Sequence, residues 1–188
     1  MPLDLARLAA NDELVERLGF SFDLSIDIAP DEPVWFTVGG ISKFEPIGRE
    51  GAGGLFVRLS DGRILYASSE GEAGIIAADL DAFMQLIAAH PYWKDLLKFS
   101  GNGKLSEMRR AAIAMEAMTL CEQDDLEDAR GFVKAELGLA EPEDAVAALH
   151  QAVSTSDVIV RTPYGITCTT LFNRFTIDDT PVLRGLVD

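Results

Sequence analysis

At 188 residues, 48% hydrophobic and 25% charged, the chain is long and apolar enough to bury one sizeable core. Its formal net charge of -15 repels phosphate backbones, which disfavours nucleic acid and favours a basic protein as partner. No run approaches the roughly 20 apolar residues of a membrane span. The first residues mix charge into every turn, unlike a signal peptide, so a cytoplasmic protein is expected. Cys121 and Cys168 lack metal-ligand spacing and read as a reduced pair of core or near-core thiols. Residues 1–50 carry ten acidic and four basic side chains, and residues 105–156 carry eleven and four. The block between them is close to neutral, with six and five.

In chain order, the apolar spacing of Leu3, Leu5, Leu8, Leu14, Val15 and Leu18 predicts one or two short helices. Asn11-Asp12 supplies a break or cap and Gly19 a stop. Alternation through Phe20, Phe22, Leu24, Ile26 and Ile28 predicts a strand, residues 29–33 a turn, and Val34–Val38 a second strand. Phe44–Gly48 reads as extended, and the glycines at 51, 53 and 54 as a sharp turn. Leu55–Ser60 and Arg63–Ser68 flank Asp61-Gly62, the signal for a two-residue type I′ hairpin. That register sets Leu59 opposite Ile64 and Val57 opposite Tyr66. Leu55, Val57, Leu59, Ile64 and Tyr66 then share a helix-covered face. Phe56, Arg58, Leu65 and Ala67 form a more open one.

A loop over 68–74 leads to a short extended piece, Ile75–Ala77. Asp79 then caps a helix with Leu80, Phe83, Met84 and Ile87 inward, ending near His90-Pro91. Tyr92–Phe99 continues as a helical turn or two, and Gly101-Asn102-Gly103 reads as a linker. Beyond it come three helices. The first is capped by Ser106, with Met108, Ala111, Ala112, Met115 and Met118 on one face and Ile113, Leu120 and Cys121 on another. The second is capped by Asp124 or Asp125 and stopped by Gly138. The third has Pro142 in its first turn and Ala145, Val146, Leu149 and Val153 inward. Asp157–Arg161 and Ile166–Phe172 around Thr162–Gly165 predict a final hairpin.

Ile47–Gly54, the Asp61-Gly62 hairpin, the Ser69-Glu70 loop and the run Ala77-Ala78-Asp79-Leu80-Asp81-Ala82-Phe83 together resemble the SUKH superfamily, also called SMI1/KNR4. Asp79 stands where that family often has serine, which keeps the capping role. The resemblance covers about residues 35–100. It implies an α+β fold, with helices on a curved, largely antiparallel sheet. Residues 1–104 would form this core and residues 105–188 a helical extension with the C-terminal hairpin. Bacterial members of the family are similar to immunity proteins that bind polymorphic or contact-dependent toxins, often nucleases. Fungal members resemble signalling scaffolds.

Motifs for chemistry are sparse. The glycines around 48–54 lack the Lys-Ser/Thr of a phosphate loop, and no cofactor is expected. His90 and His150 have no ligand-spaced neighbours, and a meeting of His150 with Cys168 in space stays open. The acidic run Asp124–Asp128 fits a helix N-terminus. Core packing is the default for Trp35, Tyr92 and Trp93. Glu50, Asp61, Ser69, Glu70 and Glu72 lie on turns of the central block and are the candidate partner contacts. The expected function is non-enzymatic protein binding, as an immunity protein or as a regulatory scaffold. A hydrolase using Glu70, Glu72 and a histidine is the reading from another class.

Overall fold

The computed structural model describes residues 3–26 and 34–187. The fold is α+β, built on a four-stranded antiparallel meander. Its strands β2 (Phe44–Arg49), β3 (Leu55–Leu59), β4 (Ile64–Ala67) and β5 (Ala73–Ala77) pair in sequence order. A two-stranded antiparallel sheet joins β1 (Thr37–Val38) to β6 (Val160–Arg161).

The N-terminal helices are α1 (Leu5–Ala9) and α2 (Asp12–Phe22), the latter capped by the Asn11 side chain on the Leu14 N–H. Gly19 does not stop α2, and the strand expected from Phe20 onward is absent among the described residues. Leu14, Leu18 and Phe22 recur every four residues and are all buried, whereas Phe20 is 81% exposed. The helical period therefore wins over the alternation that Phe20, Phe22 and Leu24 also satisfy. Asp23 ends the helix in the left-handed region, and Ser25 makes a single bridge to Arg49. Residues 27 and 28 and the predicted turn at 29–33 lie outside the described residues. Of the expected strand Val34–Val38, only Thr37 and Val38 are paired.

The β3–β4 hairpin corrects the predicted register by one residue. Arg58 faces Ile64, Val57 faces Leu65 and Phe56 faces Tyr66. Leu59 N–H donates to the Arg63 carbonyl at 2.9 Å, and Gly62 N–H to the Leu59 carbonyl at 3.0 Å, which closes a three-residue loop over 60–62. A type I′ turn needs positive φ at both central residues. Here Gly62 (φ 93°) adopts it and Asp61 does not. The slip exchanges the faces. Phe56, Ile64 and Tyr66 turn toward the helices and join the main core, while Leu55, Val57, Leu59, Leu65 and Ala67 line the other side. That other side is not open. Phe36, Val38 and Val160 cover it, so the small β1–β6 sheet lids a second cluster.

Over the first face lies α3 (Leu80–Ala89), with Asp79 accepting from the Ala82 N–H at 2.8 Å and Leu80, Phe83, Met84 and Ile87 buried. Phe56 is the hub of an aromatic group. Its ring lies 5.1 Å from Tyr66, 5.0 Å from Phe83 and 5.9 Å from Trp93. The short α4 (Trp93–Lys98) buries Trp93, Leu96 and Leu97. Residues 101–103 form a pinned turn. Gly101 and Asn102 donate to the carbonyls of Phe175 and Asn173, and Gly103 packs against Phe172.

Helices α5 (Leu105–Glu122), α6 (Leu126–Leu137) and α7 (Ala145–Ser154) add Met108, Ala111, Leu126, Val133 and Leu149 to the same cluster that holds Phe83 and Ile87. Ser106 sits inside α5 rather than capping it, because the cap is Lys104, two residues earlier. Asp125 occupies the α6 cap without a side-chain bond. Pro142 precedes α7, whose cap is Asp144. Ile113, Leu120 and Cys121 are exposed, so α5 is packed on one side. The C-terminal hairpin is a short ladder from Val160–Arg161 to Thr167–Cys168 around a turn ending at Gly165. A 3-10 turn (Ile177–Asp179) and α8 (Pro181–Arg184) close the chain.

Candidate functional site

The five candidate residues separate into two places. Because Leu55 pairs with Ala67, the turn at 50–54 and the loop at 68–72 share one end of the hairpin, and Asp61 lies at the other. Asp61 is bound there to Arg63, at 2.8 Å, and Arg63 also reaches Asp157 at 2.6 Å.

Glu50 is turned inward and 4% exposed. Its Oε1 accepts from the Gly54 N–H and the Tyr66 hydroxyl, both at 3.0 Å. Its Oε2 accepts from the Ala52 N–H at 2.9 Å and the Lys94 ammonium at 2.7 Å. Burial works to raise its pKa, but the Lys94 bond and the two backbone N–H groups hold it below the ordinary carboxylate value. The sequence places Glu50 among the partner contacts. The geometry gives it another task, locking the glycine turn to the hairpin and to α4. Gly54 is needed for this close approach. A Cβ at Gly54 would strike the Tyr66 hydroxyl and lie 2.7 Å from Glu50 Oε1.

Ser69, Glu70 and Glu72 sit on the neighbouring loop. It is held by Ser68 N–H to the Glu72 carbonyl at 2.8 Å and by the Ser69 hydroxyl to the Ala52 carbonyl at 2.9 Å. A strand-like bridge from Glu72 to Thr169 ties it to the C-terminal segment. Glu70 and Glu72 line a cleft of about 260 Å³ with Asp95, Lys98, Leu171 and the walls of Tyr66 and Trp93. Burial, and then the charge of Glu70, push Glu72 above the ordinary carboxylate value. Burial does the same to Asp95, against the pull of Lys98 and Lys94. The cleft thus brings three carboxylates, Glu70, Glu72 and Asp95, together with two lysines, Lys94 and Lys98.

Neither histidine lines that cleft. His150 Nε2 lies 2.8 Å from the Gly103 carbonyl with its ring against Phe172. Burial raises the pKa of the Cys168 thiol, the reverse of activation. His90 Nδ1 lies 3.0 Å from the Tyr92 hydroxyl, which donates to Glu116 Oε2 at 2.6 Å. With that hydrogen committed to Glu116, the Tyr92 oxygen accepts, so His90 Nδ1 carries the proton. Burial lowers the His90 pKa, with Glu116 opposing.

The centre of this second network is Arg130, which sequence reasoning missed. It is 7% exposed. Its guanidinium reaches Glu116 Oε1 at 2.6 Å and Oε2 at 2.8 Å, and Glu127 at 2.6 Å. It also caps the end of α3 through the carbonyls of Ala88 at 3.1 Å and Ala89 at 3.0 Å. The signal was present. Arg130 lies four residues after Leu126 and three before Val133, within the inward stripe of α6.

Among the described residues, no group of His, Cys, Asp and Glu is placed to hold a metal ion, and no helix is long and apolar enough to cross a membrane. Compared with family models, curated proteins and solved structures, the chain finds no match.

Proposed function

We propose that the chain is a non-enzymatic, SUKH-like protein-binding module of the bacterial cytoplasm. In this reading it is an immunity protein that captures a basic, nuclease-type toxin. The observation that carries this reading is the charge balance. Thirty-one acidic side chains face 16 basic ones, a net charge of -15 that pairing within the fold does not alter. Arg63, Lys94, Arg110 and Arg130 each bind two carboxylates. The surplus field outside is therefore negative and draws a cationic partner. Glu70 and Glu72, on a loop pinned at both ends, are contact residues that need little ordering on binding. Asp61 and Ser69 are secondary contacts, and Glu50 supports the loop from within.

The test is a search of the neighbouring genes for a toxin with a variable C-terminal domain and co-expression with any toxin found there, together with affinity measured against ionic strength. Rescue of growth and an affinity that falls as salt rises support the reading. Absence of rescue refutes immunity for that pair, and a flat salt response refutes electrostatic capture. Binding to a cytoplasmic protein that is no toxin would instead favour the scaffold role.

A further inference from the structure

We propose that a second cleft, between the end of α2, the Pro91–Asp95 corner and the last turns of α5, receives an arginine or lysine side chain of a protein partner, with Asp95 as the anchoring carboxylate. This deepens the reading above and rests on its premise of a basic protein partner. The cleft holds about 230 Å³ and is lined by Phe20, Asp23, Asp95, Met118, Glu122 and Gln123, among others.

Its polar lining includes three carboxylates, Asp23, Asp95 and Glu122, and the side-chain oxygen of Gln123. Gln123 Oε1 is fully buried and, among the described residues, has no hydrogen-bond partner. Such an oxygen calls for a donor from outside the fold. Asp95, which lies between this cleft and the Glu70–Glu72 cleft and lines both, is half-buried, and its carboxylate makes no side-chain hydrogen bond or ion pair among the described residues. The two lysines on its own helix are directed elsewhere. Lys94 binds Glu50 at 2.7 Å, and the Lys98 ammonium lies 5.3 Å from the Phe99 ring centre. The Thr119 hydroxyl is spent on the Met115 carbonyl at 2.8 Å. Asp23 keeps one loose contact, 3.7 Å to Lys94, besides its bond to the Gly51 N–H. What enters must therefore bring N–H groups and positive charge, and a guanidinium brings five in a planar fork.

The apolar lining suits the rest of such a side chain. Phe20 is 81% exposed, and Met115, Met118 and Pro91 stand beside it. An aromatic face and thioethers pack the methylene stem and attract the cation. This also gives Phe20 a use, since its exposure follows from the α2 period and serves no packing in the fold.

The test is a titration of the ¹⁵N-labelled protein with N-acetyl-L-arginine methylamide, with the citrulline analogue as the neutral control. Saturable shifts at residues 20–23, 91–95 and 119–123, absent with citrulline, are expected. Asp95→Asn should weaken binding at least fivefold, and Gln123→Met, which removes the orphan oxygen, should weaken it with the spectrum still that of a folded protein. Equal response to citrulline, shifts spread over the acidic helices, or unchanged affinity in Asp95→Asn would overturn the inference. The probe contains no toxin, so the two readings fail separately. Arginine capture without growth rescue overturns immunity alone, and rescue with an unresponsive cleft overturns this inference alone.

Discussion

Arg130→Met isolates the network that ties α3 to α5 and α6. The substitution keeps much of the side-chain volume. It removes the bidentate contact to Glu116, the bond to Glu127 and the cap on the Ala88 and Ala89 carbonyls. Loss of one partner from a buried ion pair costs about 3–5 kcal/mol. Here Glu116 is 34% and Glu127 68% exposed, so water takes over part of their solvation. The expected cost is therefore near the lower end, about 3 kcal/mol. With a urea slope of about 2 kcal/mol per molar, the unfolding midpoint falls by about 1.5 M. A cycle with Glu116→Gln measures the coupling, and the double variant should cost at least about 1 kcal/mol less than the two singles added. A loss below about 1 kcal/mol for Arg130→Met, or strict additivity, would refute the view that this arginine clamps the helices.

Three further outcomes follow from the geometry. Gly54→Ala drives a methyl into the Tyr66 hydroxyl and should cost about 1–3 kcal/mol, read from thermal unfolding; a neutral effect would mean the turn yields. Glu50→Gln weakens the Lys94 contact and should lower stability by about 2 kcal/mol, whereas Glu70→Gln should leave stability alone and weaken partner binding. A binding loss in Glu50→Gln larger than that in Glu70→Gln would return Glu50 to the contact surface. His90 has a folded pKa below its unfolded value near 6.5, so the unfolded chain takes up the proton first. Its contribution is intact above about pH 6.5, declines as pH falls and levels off below the folded pKa. Denaturation at pH 7.5 and 5.5 should show a fall that is smaller in His90→Gln, and an equal fall in both proteins would count against it.

What the sequence made legible was local. The Asp79 cap, the stripe of α3, the Gly138 stop and the inward set of α7 all follow from short-range pattern and hold in the structure. The hairpin was found, but Asp-Gly fits two loops that differ by one residue, and only the packing of Phe56 against Phe83 and Trp93 selects between them. Phe20 and Phe22 satisfied two periods at once, and burial of Phe22 decided. Part of the cover on the second sheet face comes from Val160, far along the chain, which no local pattern reports. The site divides in the same manner. The Ser69–Glu72 loop was readable as a loop with exposed acid. The inward turn of Glu50 depends on Tyr66 and Lys94 meeting it from separate elements.

The pairing of Thr37–Val38 with Val160–Arg161 has a bearing on how the polypeptide is made. The meander through Ala77 closes over short loops and can order soon after it leaves the ribosome. The strip joining positions 37–38 to 160–161 has to wait for almost the whole chain. Until then the apolar surface of Leu55, Val57 and Leu65 lacks Val160, and the Thr37–Val38 strand that shares in its cover has no β6 to pair with. A premature stop before Val160 would leave that surface permanently short of its cover, and the truncated product would be a target for chaperones and proteases rather than a weaker version of the protein.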